Sequence, residues 1–178
     1  MSSPTRRDFL KSGAALAVAA GAAGWEAVFA DGLAALAERR LRVAWVQGQA
    51  CSGCSVSLLN AQRPTIDEAV RRQIDLAFHP VLSAAQGERA IALLDRVERG
   101  SEPFVLVVEG AVPAGLPAAC RLGGRTLAAT LLPAVRKAQA IVAVGTCASF
   151  GGVPAAEGNP TGAVAVREFL VTEGVPHE

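Results

Sequence analysis

The chain has 178 residues, of which 51% are hydrophobic and 19% are charged, and its formal net charge is +1. This length can bury one sizeable core but not two, so we expect a single folded domain. The small net charge cannot neutralise a row of phosphates, and the sparse aromatic residues include no Tyr. The composition therefore disfavours nucleic acid as a partner.

The first thirty residues have the pattern of an export signal that is removed. Arg6 and Arg7 are followed by Phe-Leu-Lys, as in twin-arginine signals. A weakly hydrophobic run at residues 12–24, too short for a stable membrane span, leads to Val-Phe-Ala at residues 28–30, which fits a small-x-small cleavage site. The alternatives are a disordered basic tail and an uncleaved anchor.

This pattern divides the chain into a twin-arginine signal peptide at residues 1–30 and a folded domain at residues 31–178. It also places the domain in the periplasm, or on the outer face of the cytoplasmic membrane. Because twin-arginine export carries proteins that fold, and often acquire cofactors, before they leave the cytoplasm, it favours a metal or cluster cargo. The destination is oxidising, so the even number of cysteines could also mean disulfides.

Apolar runs alternate with amphipathic segments along the folded domain. Buried strands are predicted at residues 41–46, 76–78, 104–108 and 140–144, and helices at residues 31–40, 65–75, 86–99 and 127–138. Pro133 implies a kink or a later start in the last of these helices, and Thr161 could cap one further helix. Strands separated by single helices pair in parallel with right-handed crossovers, so we predict a flavodoxin-like, three-layer, doubly wound α/β sheet.

Three loops follow predicted strands directly, at residues 47–55, 109–117 and 145–154. Because ligands bind outside the carboxyl ends of parallel strands, these loops should lie together at the binding edge of the sheet. The first loop holds Cys51-Ser-Gly-Cys54 and enters a helix near Ser55, a geometry that we expect to lower the pKa of the thiols. Alone, the motif fits a redox-active dithiol, half a zinc site or half an iron–sulfur site about equally, and a structural disulfide less well.

Cys147 lies in the third loop, within the glycine-rich stretch GTCASFGG at residues 145–152. Three thiolates would converge at the edge, and glycines let backbone amides approach a compact anionic cluster. Zinc also fits the chemistry, although structural zinc sites usually use a second close-spaced pair of cysteines. The alternative for Cys147 is a small buried hydrophobic residue.

Several motifs, taken in order, resemble the small subunit of nickel-iron hydrogenases. They are QGQACSGC at residues 47–54 with SLLN at 57–60, HPVLSAAQGE at 79–88, VVEGAVP at 107–113, Cys120 with Gly123 and Gly124, GTCASFGG at 145–152 and NPTGA at 159–163. The resemblance covers residues 42–166, and spaced motifs in order are more specific than any one of them.

The resemblance implies that Cys51, Cys54 and Cys147 bind the iron of a proximal 4Fe-4S cluster, as three of its four ligands. It implies an electron-transfer subunit docked on a hydrogenase large subunit that carries the nickel-iron centre. Electrons would pass between that centre and a cytochrome or other acceptor during H2 oxidation or proton reduction. The chain would be part of an oxidoreductase without a complete active site, so no catalytic residue is assigned. The main alternative is an exported thiol–disulfide redox protein that uses Cys51 and Cys54, and a flavodoxin-type FMN module is the second.

In the family the fourth cysteine follows the next strand, and a later region binds a medial and a distal cluster. We expect these parts to be missing here, because the sequence stops at Glu178; it would then be a fragment, a frameshifted product or a degenerate copy. Cys120 matches a position that is not a ligand, and we expect it to be a buried thiol. Val56 stands where many relatives have Glu, and Gly53 and Gly152 stand where oxygen-tolerant relatives have extra cysteines.

His79 and Glu109 are two further polar candidates. His79 could bind a metal or relay protons, but a capping or packing role at the end of a strand fits it better. Glu109, at the mouth of a strand on the binding edge, could hydrogen-bond near the cluster or face the partner subunit. Neither residue is assigned as catalytic.

Overall fold

Four parallel strands form the central sheet of the computed structural model, which describes residues 40–175. The predicted signal peptide and residues 31–39 of the predicted first helix lie outside the described residues. In chain order, the strands are β1 (Leu41–Gln47), β2 (Ile74–Phe78), β3 (Val105–Glu109), β4 (Val112–Pro113), β5 (Arg121–Leu122), β6 (Arg125–Thr126), β7 (Ala140–Val144) and β8 (Ala163–Val164). The α-helices are α1 (Gly53–Leu59), α2 (Ile66–Arg72), α3 (Glu88–Arg99), α4 (Leu127–Val135), α5 (Gly145–Phe150) and α6 (Val166–Thr172).

The strand order of the central sheet is β2-β1-β3-β7, and every neighbouring pair is parallel. The short strands form two antiparallel ribbons, β4 with β8 and β5 with β6. This order is the one that a doubly wound flavodoxin-like sheet has over its first four strands. The predicted fold class is confirmed.

Both faces of the inner strands β1 and β3 are covered, which explains the apolar runs in their middles. Along β1, Ala44 and Val46 point into the main core, together with Leu94 of α3 and Leu131 of α4. Trp45 points to the opposite face and joins a smaller apolar cluster. Because successive side chains of a strand alternate between faces, every buried residue from Val43 to Val46 is apolar.

The register of the sheet aligns the ends of three strands. Gln47 is paired with Glu109, and Glu109 is paired with Val144. The loops after β1, β3 and β7 therefore leave the sheet side by side. This confirms the prediction that the loops at residues 47–55, 109–117 and 145–154 share one edge.

The predicted helix at residues 65–75 is too long. Thr65 and Glu68 form a reciprocal capping box at the start of α2, but the helix ends at Arg72. Ile74, which has helical spacing with Ile66, is instead the first residue of β2 and pairs with Leu41. Sheet pairing outweighs the local periodicity at this point.

Helix α4 begins at Leu127 as predicted, where the Thr126 hydroxyl accepts a hydrogen bond from the Ala129 N–H (3.2 Å). Of the two effects expected of Pro133, a later start is not observed. The prediction for Thr161 is wrong. Thr161 does not cap α6, which begins one residue after Ala165; its hydroxyl donates to Oε1 of Gln49 (3.0 Å). None of the helices among residues 40–175 is long and apolar enough to cross a membrane.

Candidate functional site

The cysteines of the C-x-x-C motif lie between β1 and α1. Ser52 has a left-handed backbone conformation, with φ of 62°, and the helix begins at Gly53, slightly before the predicted start near Ser55. Cys51 is exposed, whereas Cys54 lies in the first turn of α1 and is partly buried. The tight turn thus presents two thiols at the carboxyl edge of the sheet.

Cys147 reaches the same edge from β7. It lies in α5, which begins directly where β7 ends, and it is partly buried. The Sγ atom of Cys54 lies 3.8 Å from the carbonyl oxygen of Val144. The structure therefore brings the C-x-x-C turn against the start of the helix that carries Cys147.

Two glycines make room for the thiols. A Cβ atom at Gly145 would lie 2.3 Å from Sγ of Cys54, and one at Gly152 would lie 2.8 Å from Sγ of Cys147. Both glycines also have positive φ, of +78° and +53°. The glycine-rich loop is needed here because any larger residue would occupy the space that the sulfur atoms fill.

The pKa of Cys54 is raised, which contradicts the expectation that the turn would lower it. Burial is the largest cause, followed by the negative charge of Glu109 and then by the thiols of Cys51 and Cys147. The N–H group of Cys54 donates to Glu109 (3.1 Å), so it does not stabilise a thiolate. A positive centre beside Cys54, such as bound iron, would oppose this shift by compensating the thiolate charge.

Glu109 is buried directly behind the C-x-x-C turn, with 1% of its surface exposed. Its Oε1 atom accepts hydrogen bonds from the N–H groups of Cys54 (3.1 Å) and Ser55 (3.4 Å). Its Oε2 atom accepts from the Ser55 hydroxyl (2.5 Å), Nε2 of Gln47 (2.9 Å) and Nε1 of Trp45 (3.1 Å). Burial raises the pKa of Glu109, but these hydrogen bonds outweigh burial and leave the pKa lowered, so the carboxylate is charged.

The sequence indicates that Glu109 lies near the site but does not reveal the donors that surround it. Trp45 and Ser55 stand out in the sequence only as part of a strand and as a helix start. Gln47 could have been predicted as a donor to Glu109. Each is a polar residue at the end of a buried strand, and in neighbouring parallel strands such end residues lie side by side.

His79 is buried at the end of β2 and acts as a capping residue. Its Nδ1 atom accepts hydrogen bonds from the N–H groups of Val81 (3.1 Å) and Leu82 (3.2 Å). The proton therefore resides on Nε2, which lies 3.2 Å from Oγ of Ser55 and donates to it. Burial lowers the pKa of His79, although the charge of Glu109 opposes this shift. Both ring nitrogens are engaged, so the structure supports the capping role over metal binding.

Acid is expected to destabilise the protein through His79. Its pKa in the fold lies below the ordinary value of 6.5, so below about pH 6.5 the unfolded chain binds a proton that the folded chain does not. The free energy of unfolding should fall with decreasing pH there, with a slope of up to about 1.4 kcal/mol per pH unit. In a His79→Gln variant this part of the slope should disappear. Urea unfolding of both proteins across this pH range measures it, and parallel profiles would contradict the assignment.

Cys120 lies apart from the other three cysteines. It is partly buried, packs against the main core, and has a pKa that burial raises. All four cysteines are free thiols. Its partial burial against the main core agrees with the expected packing, and its non-ligating role stays a prediction.

The site has space beside two of its thiols. Gly145 and Gly152 leave this space next to Sγ of Cys54 and Sγ of Cys147, and a compact cluster held by thiolates would need such space, since each thiolate binds a different iron. Among residues 40–175, no group of three or more His, Cys, Asp or Glu side chains is placed to hold a metal ion.

A family model described as NADH ubiquinone oxidoreductase, 20 Kd subunit, matches residues 51–176. A model of the twin-arginine translocation signal matches residues 3–23. The chain is 44% identical over 149 residues to the periplasmic NiFeSe hydrogenase small subunit of Desulfomicrobium baculatum, covering 77% of this chain and 47% of that protein. It is 38% identical over 174 residues to the periplasmic NiFe hydrogenase small subunit 1 of Nitratidesulfovibrio vulgaris, covering 96% of this chain and 54% of that protein.

Solved structures agree with these sequence matches. The reduced, active form of the NiFeSe hydrogenase from Desulfomicrobium baculatum superposes with a TM-score of 0.74 at 42% identity, covering 78% of this chain and 54% of that chain. The actinobacterial-type NiFe-hydrogenase from Ralstonia eutropha H16 gives a TM-score of 0.64 at 31% identity, covering 75% and 44%. The chain spans about half the length of the relatives that it matches.

Proposed function

Because the chain belongs to the family of the NADH ubiquinone oxidoreductase 20 Kd subunit, and its relatives are hydrogenase small subunits, we propose that it is the electron-transfer subunit of a nickel-iron hydrogenase. In this role Cys51, Cys54 and Cys147 hold a proximal 4Fe-4S cluster. The subunit passes electrons between the nickel-iron centre of a large subunit and a redox partner, a cytochrome or another acceptor, during H2 oxidation or proton reduction.

One observation carries this proposal: two loops that contain cysteines lie against each other where glycines leave space beside the sulfur atoms. The aligned ends of β1 and β7 bring Cys54 against the start of α5, and Gly145 and Gly152 leave the space beside the sulfur atoms. A redox dithiol would need only Cys51 and Cys54, and it would not explain the space that these glycines leave.

Each part of the site has a limited role. The bound cluster would supply reversible one-electron chemistry. The three thiolates hold its iron atoms, and Glu109 fixes the turn that carries Cys54 through the N–H groups of Cys54 and Ser55. We assign no acid, base or nucleophile of the hydrogen reaction among residues 40–175; in the proposed complex that reaction takes place in the large subunit.

An apolar surface beside the cysteines supports docking of a large partner. Phe150, at the end of α5, is 81% exposed, and Val153, in the following turn, is 84% exposed. Large apolar side chains exposed next to a functional edge are typical of a surface that a partner covers. The hydrogenase large subunit is the partner that we propose for it.

The match to a twin-arginine signal supports export. Relatives from Desulfomicrobium and Nitratidesulfovibrio are named periplasmic hydrogenase subunits. We therefore place this subunit in the periplasm or on the outer face of the cytoplasmic membrane.

Reversible reduction of the reconstituted protein tests the proposal. The full chain is loaded anaerobically with iron and sulfide, reduced with dithionite and reoxidised with a viologen dye. We expect the paramagnetic signal of a reduced cluster to appear and disappear over repeated cycles. A protein that holds no iron and instead cycles between a dithiol and a disulfide at Cys51 and Cys54 would establish the thiol–disulfide alternative.

A further inference from the structure

We infer that the buried carboxylate of Glu109 lowers the reduction potential of the cluster, in addition to positioning the turn that carries Cys54. This inference rests on the proposed function, because it concerns the cluster that the three cysteines hold. It assigns to Glu109 a role that is distinct from iron binding: a fixed negative charge beneath the site.

The geometry places this charge close to a ligand without making Glu109 a ligand. Oε1 of Glu109 accepts a hydrogen bond from the N–H of Cys54 (3.1 Å). The carboxylate is therefore in direct contact with the backbone of the residue that carries the sulfur ligand. Both of its oxygen atoms are already occupied by donors from Trp45, Gln47 and Ser55, or by backbone N–H groups. The carboxylate is therefore held in place rather than free to rotate toward the cysteines.

The charge of Glu109 is not cancelled by a cation. Among the described residues, its hydrogen-bond partners are an indole, an amide, a hydroxyl and two peptide N–H groups, all of them neutral. His79, which donates to Ser55 in the same network, is also neutral because its Nδ1 atom accepts two hydrogen bonds. Since the group is buried, water and salt screen it poorly.

Glu109 lowers the reduction potential of the cluster in two ways. Reduction adds one electron to the cluster, and a nearby fixed negative charge disfavours that added charge. The carboxylate also accepts the hydrogen bonds of the Cys54 and Ser55 N–H groups, so these donors are not available to stabilise the cluster and its sulfur ligands. Both effects make the reduced cluster less stable, so both lower the potential.

A Glu109→Gln variant separates charge from shape. We expect its reduction equilibrium to shift toward the reduced cluster by about tenfold, which is about 59 mV for a one-electron couple. The reconstituted full chain and the variant are titrated by potentiometry, with the spectroscopic signal of the reduced cluster as the readout. Glu102→Gln is the matched control. It removes the same charge from the loop between α3 and β3, at the opposite edge of the sheet, and it should leave the potential unchanged.

A second variant keeps the carboxylate and changes only one of its donors. Trp45→Phe removes the Nε1–H donor while keeping an aromatic ring in the small apolar cluster. The carboxylate then bears more uncompensated charge, so the potential should move down, opposite to Glu109→Gln. This variant decides the question if Glu109→Gln cannot hold the cluster.

The outcomes separate this inference from the function on which it rests. If the wild-type chain takes up no cluster, the proposed function fails and the inference fails with it. If the wild type binds a cluster but Glu109→Gln leaves its reduction potential unchanged, only the inference is overturned. If Glu109→Gln binds no cluster, Trp45→Phe takes its place, and an unchanged potential in that variant overturns the inference in the same way. Opposite shifts in the two variants are the result that it predicts.

Discussion

Replacement of Cys147 with serine is expected to abolish stable retention of the 4Fe-4S cluster. Cys147 supplies the thiol that comes from β7 and α5, and the C-x-x-C turn alone cannot surround a cluster. Loss of a supporting group near a metal commonly weakens binding by about 10- to 100-fold, and loss of a direct ligand should cost at least as much. Iron and sulfide retained after reconstitution and desalting, with the visible absorbance of the cluster, measure the effect.

Cys120→Ser provides the matched control. It makes the same chemical change at a partly buried cysteine that packs against the main core. We expect it to retain iron and sulfide at the wild-type level. Equal losses in the two variants would mean that serine substitution destabilises the fold generally, and the assignment of Cys147 as a ligand would be withdrawn.

An alanine at Gly145 is expected to destabilise the protein strongly. Its Cβ atom would lie 2.3 Å from Sγ of Cys54, and the residue has φ of +78°, which side chains other than glycine rarely adopt. The steric overlap and the backbone strain together should reduce the free energy of unfolding by about 3 kcal/mol or more. Chemical denaturation of the protein without a cluster isolates this effect from iron binding.

Gly124→Ala isolates the contribution of the backbone. Gly124 has φ of +80°, nearly the same as Gly145, but nothing lies within 4 Å of the position of its added Cβ. This variant should lose only about 1 kcal/mol. If both variants lost the same stability, the close packing of Cys54 against Gly145 would not be a feature of the folded protein.

The architecture of the sheet was predictable because its signal is repeated and physical. An unbroken apolar run marks each of these strands. It predicts β7 with its observed limits, although β7 is only partly covered, and it predicts β1, whose middle residues are buried, to within one residue. Once the strands are parallel, their carboxyl ends must share an edge. The grouping of Cys51, Cys54 and Cys147 follows from that rule, before any resemblance is considered.

Other features depended on contacts that a linear pattern does not contain. Ile74 has helical spacing, but pairing with Leu41 makes it a strand residue. Thr161 looks like a helix cap, yet its hydroxyl contacts Gln49, far away in the chain. The pKa of Cys54 was predicted in the wrong direction because burial, and after it the charge of Glu109, raises it, and only the folded chain supplies both.

The central claim is that three thiols at one edge of the sheet hold an iron–sulfur cluster. The most direct test is the iron and acid-labile sulfide content of the anaerobically reconstituted full chain, with a Mössbauer spectrum of the bound iron. The account predicts iron and sulfide in equal amounts and a 4Fe-4S spectrum, both lost when Cys51, Cys54 and Cys147 are replaced together. Iron without sulfide, or the same iron content with and without these cysteines, would contradict it.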